Sequence, residues 1–497
     1  MLEAFVRALG NIAQLDVMLV MLLGVTIGLI FGIVPGIGGM AGIAIFMSFI
    51  WGQDPILGLT FILAIAAASS QGGSVTTILL NVPGDTTNAA TLLDGYPMAA
   101  KGQAGRAMGI VLTASGLGGL FGGLVLLGML PVMRPVVLAF GSPETFMMVV
   151  LGLTFMAIIA RESLIKGFVA GCLGLILAFI GLQNVTGIVR YDFFNWLYLE
   201  DGIQLIPLSL GIFAIPEVIE MMVGGETFIQ KAGITIRKGG DVLEGVKDVF
   251  RHFFLFIRCC FIGTVVGIIP GIGAHTATFM AYGHAKQTSK HPEEFGQGSV
   301  EGVIAPESAS NAKEGGSLLT TLGFGIPGSS AMALLLGAFL VVGVQPGPKM
   351  LVEYLDLSIW LGWTIIIGNL LSSFVLLLLA RQMVRIIFLD ARILAPVILV
   401  FVVIGAYAIN QNFMDVIMAF VFGGFGFAAK RLGYPRVPVM LGFVLGKLAE
   451  TYFLVSIKTT GPFFVFTKPI CLIIFIVILI TLAFDQRSKM REKRKLA

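Results

Sequence analysis

Hydroxyl-bearing side chains stand just before two Pro-Gly pairs, one pair in each half of the chain. They are Ser74, Thr76 and Thr77 before Pro83 and Gly84, and Ser317, Thr320 and Thr321 before Pro327 and Gly328. Oxygen atoms of hydroxyl and carbonyl groups are ligands that suit hard cations. Free backbone N–H groups at the start of a helix suit carboxylates. These residue types predict a site for a small organic anion, with a Na⁺ site whose ligands the pattern does not define.

The residues that follow these Pro-Gly pairs are of types that commonly cap helices. They are Asp85, Thr86 and Asn88 in the first half, and Ser329 and Ser330 in the second. Side-chain oxygens of such residues accept hydrogen bonds from the first backbone N–H groups of a helix. We therefore predict that a new helix begins after each pair. For Asp85 two interpretations stay open, a helix cap and a ligand.

A Gly/Pro motif occurs twice and predicts two further helix breaks. The run from Gly32 to Gly38 recurs from Gly267 to Gly273. Proline removes a backbone donor and stops a helix, and an unpaired backbone group is costly in hydrocarbon. Such breaks persist where they line a polar cavity, although glycines also serve close helix packing, as in Gly118-x-x-x-Gly122. The candidate site residues here are Pro35, Gly36, Gly38, Pro270, Gly271, Gly273 and His275.

An acidic stretch lies between the two broken segments of the second half. We predict a loop there, around Ala305 to Asn311. A solvated loop is one interpretation. The other is that Glu307, Ser308 and Asn311 line a pathway, because the stretch joins two broken segments.

The elements that must position these residues are membrane helices. Hydrophobic residues make up 57% of the 497-residue chain and charged residues only 12%. No Asp, Glu, Lys or Arg occurs between Asp16 and Asp54, or between Glu314 and Lys349. Because a membrane-spanning helix needs roughly 20 apolar residues, the chain is predicted to be an all-α polytopic integral membrane protein with about 10–12 transmembrane segments.

The recurrence of both motifs in the same order predicts an internal duplication. Lys and Arg placement gives the two halves opposite orientations and puts the C-terminus in the cytoplasm. The predicted units are an N-terminal inverted repeat (1–223), a cytoplasmic linker (224–251), a C-terminal inverted repeat plus last span (252–484) and a basic cytoplasmic tail (485–497). Inverted-topology repeats with Gly/Pro-broken or re-entrant helices are typical of secondary transporters.

Other classes of function find little support in the sequence. There is no P-loop motif, and the four histidines lack zinc-site spacing. We expect no cofactor beyond a coupling ion, no nucleic-acid partner and no enzyme activity. An intramembrane enzyme and a passive channel remain the alternatives.

Four motifs together resemble the large membrane subunit of the tripartite tricarboxylate transporters, the TctA type. They are the Gly32–Gly38 run, Asn81 to Asp85, Ala305 to Ser308, and Gly325 to Ser329. The resemblance implies a bacterial inner-membrane permease that works with a small membrane subunit and a periplasmic solute-binding protein. It also implies uptake of small carboxylates, such as citrate or related acids, driven by a Na⁺ or H⁺ gradient.

Overall fold

Long helices form almost all of the described structure. The computed structural model describes Ala8, Gly10 and residues 14–34, 38–159, 164–183, 186–193, 196–223, 242–269, 273–386, 391–408 and 410–480. The helices of the first half are α1 (Leu15–Ile33), α2 (Gly38–Phe46), α3 (Pro55–Leu80), α4 (Leu92–Met98), α5 (Ala104–Leu138), α6 (Ser142–Ile159), α7 (Leu164–Ala178) and α8 (Leu205–Val223). Those of the second half are α9 (Val242–Arg251), α10 (Phe253–Ile268), α11 (Gly273–Thr288), α12 (Val300–Phe324), α13 (Ser330–Val341), α14 (Leu355–Ile386), α15 (Ala391–Ala408), α16 (Phe413–Arg431), α17 (Arg436–Thr460) and α18 (Pro469–Ile480).

These helices confirm an all-α polytopic membrane protein. Within the described ranges, seven helices are long and apolar enough to cross a membrane, or eight if α9 and α10, which are bent by 79°, form one span. Shorter apolar helices, such as α13 and α18, accompany them. A two-stranded antiparallel hairpin, β1 (Gly181–Leu182) with β2 (Val189–Arg190), interrupts the pattern after α7.

The same backbone contacts occur in both halves. A Cβ built on Gly32 of α1 would lie 2.2 Å from the carbonyl oxygen of Ser69 in α3, so the two backbones touch. In the second half, a Cβ on Gly267 of α10 would lie 2.3 Å from the carbonyl oxygen of Lys313 in α12. Small residues allow this approach, which larger side chains would block. The pair α1 and α3 therefore corresponds to the pair α10 and α12.

The ends of α3 and α12 follow the same plan. Asn81 follows α3 in the left-handed conformation (φ 57°), and Gly325 follows α12 in the same conformation (φ 68°). A left-handed residue commonly ends a helix because it turns the chain away from the helix axis. Pro83 and Pro327 come two residues later in non-helical backbone. The orientation of the two halves relative to a membrane stays a prediction.

The structure corrects several predicted boundaries. α3 ends at Leu80, so the break lies at Pro83 and Gly84 as predicted, whereas α5 continues through Pro131 and Pro135 to Leu138. The predicted loop around Glu307 is wrong, because that residue lies inside the buried helix α12. Of the predicted linker, residues 242–251 form α9, whereas residues 224–241 and the basic tail lie outside the described residues.

Candidate functional site

A buried carboxylate, that of Glu307 in α12, gathers hydroxyl groups from the first half of the chain. Ser74 of α3 donates to it at 2.9 and 3.1 Å, and Thr91 donates at 2.6 Å. Ser115 of α5 donates to the other carboxylate oxygen at 2.6 Å. All four residues are buried. Because a buried charge is tolerated only with partners, these hydroxyls explain how an acidic side chain is held inside the bundle. We call these four residues the Glu307 cluster.

Asn88 extends the Glu307 cluster toward the first break. It lies in the 3₁₀ turn Thr86–Ala89, which follows Gly84 and Asp85, and its amide nitrogen donates to Ser74 Oγ at 2.7 Å. The same nitrogen donates to the carbonyl oxygen of Ser70 at 3.1 Å. Asn88 Oδ1 is buried and has no hydrogen-bond partner. An unpaired polar atom of this kind beside a helix break has the capacity to bind a ligand.

A second polar network joins α3, α12 and α14. Gln71 donates to the backbone and side-chain oxygens of Asn369, each at 3.1 Å. Asn311 donates to the same side-chain oxygen at 2.6 Å. Ser70 and Ser310 also share a hydrogen bond of 3.2 Å between α3 and α12. The predicted candidate Asn311 therefore takes part in the polar core, whereas the hydroxyl of Ser308 donates back to Ile304 of its own helix at 2.6 Å.

Within each half, the backbone at the Pro-Gly pair contacts the start of the other Gly/Pro motif. A Cβ on Gly84 would lie 2.8 Å from the carbonyl oxygen of Gly32, and one on Gly328 would lie 2.6 Å from that of Gly267. After Gly328, Ser329 caps α13 by accepting from the N–H of Met332 at 3.3 Å, and Ser330 begins that helix. The predicted cap is confirmed in the second half. In the first half, a 3₁₀ turn rather than an α-helix follows Asp85.

The threonines before the breaks hold their own helix ends. Thr76 and Thr77 both donate to the carbonyl oxygen of Gly73, at 2.9 and 2.8 Å. Thr320 and Thr321 donate to that of Ser317, at 3.1 and 2.6 Å. These bonds engage the hydroxyl protons, although each oxygen still has acceptor capacity.

These matching bonds show which residues of the two halves correspond. The Gly-Gly-Ser runs that begin at Gly72 and Gly315 look equivalent, but the contacts pair Gly73 with Ser317. Ser74 and Ser317 are therefore not counterparts. Ser74 reaches Glu307, whereas Ser317 donates to the carbonyl oxygen of Gly267 at 3.3 Å. The second run has one more residue between its serine and its two threonines than the first, so the glycines and the threonines cannot both be aligned.

Several partners escaped the sequence analysis. Ser115 and Asn369 lie far from the Gly/Pro motifs along the chain, and Thr91 lies seven residues after Gly84; only their contacts with α12 and its neighbours mark them. Isolated polar residues in apolar runs were the available signal. Of the predicted residues, Pro35, Gly36, Pro270 and Gly271 lie outside the described residues, as does the side chain of Thr86, whereas Gly273 begins α11. Gly38 begins α2 with φ 70°, and His275 lies in the first turn of α11.

A polar cavity opens near the N-terminal end of α12. It has a volume of about 490 Å³, and Lys101, Arg106, His252 and Glu301 are among the residues that line it. Glu301 lies six residues before Glu307, or roughly 9 Å along the helix axis. Among the described residues, no group of three or more His, Cys, Asp and Glu side chains is arranged to hold a metal ion.

The fold and the polar interior define a multi-pass membrane protein whose broken helices enclose buried polar groups. Residues 18–441 match the family described as "Tripartite tricarboxylate transporter TctA family". The chain belongs to this family, which is the large subunit of tripartite tricarboxylate transporters.

Two relatives from Agrobacterium vitis are similar to the chain. The "Uncharacterized 52.8 kDa protein in TAR-I ttuC' 3'region" is 35% identical over 477 residues, which cover 95% of this chain and 93% of the relative. The "Uncharacterized protein in TAR-II ttuC' 3'region" is 41% identical over 194 residues, which cover 38% of this chain and 78% of the relative. No solved structure matches the chain.

Proposed function

We propose that the protein is the permease of a bacterial inner-membrane uptake system for small organic carboxylates such as citrate, driven by a Na⁺ or H⁺ gradient. Its partners are a small membrane subunit and a periplasmic solute-binding protein. Family membership supports a role in a tripartite uptake system, and the Glu307 cluster supports coupling of uptake to an ion gradient. Ionisable residues at membrane depth are costly, and they commonly mark ion pathways.

The single observation that carries this proposal is where the Glu307 carboxylate lies. It belongs to the second half of the chain, yet its hydroxyl partners belong to the first half. A proton or Na⁺ that binds there changes the charge where the two halves meet. A cation bound at this place has different contacts when α3, which carries Ser74, moves relative to α12, and such a difference is what couples binding to conformational change.

The test is transport by purified components. The chain and its small membrane subunit are placed in proteoliposomes, the binding protein is added outside, and uptake of radiolabelled citrate, succinate and malate is measured under a Na⁺ or a pH gradient alone. We expect accumulation under one gradient and counterflow of the labelled acid. Uptake without counterflow would indicate a channel, and chemical conversion of the label would indicate an enzyme. Either result would overturn the proposal.

A further inference from the structure

A buried ion pair, Lys313 with Glu314 in α12, takes no part in the Glu307 cluster. Lys313 Nζ donates to Glu314 Oε1 at 2.5 Å, and the two side chains are 2% and 12% exposed. Among the described residues, Lys313 is the only lysine or arginine that is buried. A basic side chain is thus placed inside a bundle that otherwise offers an anion mainly hydroxyls and amides.

This pair is not fully satisfied. Glu314 Oε2 is buried and has no hydrogen-bond partner. An ammonium group has three donors, and that of Lys313 makes its one hydrogen bond in the described structure to Glu314. Purely structural buried pairs are stable only when further hydrogen bonds satisfy the remaining groups. Lys313 thus has unused donors and Glu314 has an unpaired oxygen, so the pair keeps hydrogen-bonding capacity for a ligand.

The pair lies beside the end of α10, because the backbone of Lys313 contacts Gly267, three residues before Pro270. By the contacts that both halves share, Lys313 and Glu314 occupy the positions that Ser69 and Ser70 occupy in α3. Ser69 contacts Gly39, the second residue of α2: a Cβ built on Gly39 would lie 2.1 Å from the hydroxyl oxygen of Ser69. The second half thus carries two opposite charges where the first half carries two hydroxyls.

We propose that Lys313 binds one carboxylate group of the transported acid and that Glu314 is its partner only while the site is empty. The inference rests on the proposed function. The substrate carboxylate replaces Glu314, and the released Glu314 carboxylate then binds a coupling cation, because an unpaired charge in the bundle is costly. Each anion therefore enters with a cation, and the sum of the charges inside stays the same.

The test is a set of charge variants assayed by citrate counterflow in proteoliposomes of the two membrane subunits. Lys313→Met removes the cation, and we expect KM to rise about tenfold or more, the usual effect of losing a hydrogen bond to a charged group. Lys313→Arg keeps the charge and should retain most of the affinity. Glu314→Gln should lower KM and weaken its dependence on the cation concentration.

A double variant separates a binding role from a structural one. Lys313→Met with Glu314→Met removes both charges, so a structural pair would be replaced without an unpaired charge and KM would return to the wild-type value. That return, or an unchanged KM in Lys313→Met alone, overturns the inference. The expected result is that KM stays high while thermal stability recovers.

The control is an ion pair away from this site. Lys430 bridges Glu217 and Glu220 at 2.8 and 2.6 Å, and Lys430→Met should leave KM unchanged. If the wild-type chain carries none of the labelled acids, the proposed function fails before this inference is reached. If the wild type transports and the charge variants have the same KM as the wild type, only this inference fails and the proposed function stands.

Discussion

Replacing Glu307 by glutamine should abolish ion-coupled uptake while leaving the chain folded. Alanine is a poor choice, because three buried hydroxyls would lose their acceptor at about 1–3 kcal/mol each, or about 3–9 kcal/mol in all. That loss is comparable with the whole stability of a typical domain, about 5–15 kcal/mol. Glutamine keeps the shape and one acceptor oxygen, and the hydroxyls can rotate to accept from its amide.

The cost of glutamine follows from the same contacts. A hydrogen bond to a charged group contributes about 1.5–3 kcal/mol and a neutral one about 0.5–1.5 kcal/mol, so three bonds lose roughly 3 kcal/mol in total. We expect a measurable fall in melting temperature in detergent, with the chain still inserted and monodisperse. Uptake under the ion gradient should disappear, because the amide has no charge to exchange for a cation.

The assay compares gradient-driven uptake with melting temperature for Glu307→Gln and a matched variant. Glu301→Gln makes the same chemical change on the same helix, but at a side chain that is 26% exposed and lies 3.8 Å from His252. It should transport like the wild type. Wild-type uptake and ion dependence in Glu307→Gln would refute the reasoning, since the charge would then have no part in coupling.

Two further predictions concern the packing around α12. Gly122→Ala should destabilise the protein by about 1–3 kcal/mol, because the added Cβ would lie 2.3 Å from the carbonyl oxygen of Ala312. Gly128→Ala on the same helix α5 has open space and should melt like the wild type; equal melting temperatures of the two variants would contradict this packing. Asp94→Ala should loosen the loop that ends at Ser299, since Asp94 accepts from three of its backbone N–H groups at 2.8–2.9 Å. Faster hydrogen exchange in that loop checks this, and unchanged exchange would show that the loop does not depend on Asp94.

The sequence predicts the class of fold because apolar runs and helix breaks are local signals. The break beyond α3 and the cap at Ser329 follow from residue types alone. The part of α12 around Ala305 to Asn311 was predicted as a loop because Glu301, Glu307 and Glu314 interrupt its apolar residues. Hydropathy measures transfer into lipid, whereas α12 lies among other helices that supply its polar partners.

The candidate site was predictable only in part for a similar reason. Ser74 precedes the first Pro-Gly pair and Asn88 follows it, so both were candidates from the sequence, and Glu307 was a candidate through its place between two broken segments. Thr91 and Ser115 have no local signature, because their role depends on which helix lies opposite. That Ser317 corresponds to Gly73 could likewise be recognised only from the backbone contacts, because the Gly-Gly-Ser runs suggest a different alignment.

Glycine contacts limit how this bundle can rearrange. The backbones of α5 and α10 touch that of α12 at Gly122 and Gly267, with no side chain between them. Because these backbones pack in direct contact, neither α5 nor α10 can slide along α12 without steric overlap. These three helices should travel as one solid body. Any opening toward either side of the membrane must then occur at seams where bulkier side chains offer alternative rotamers.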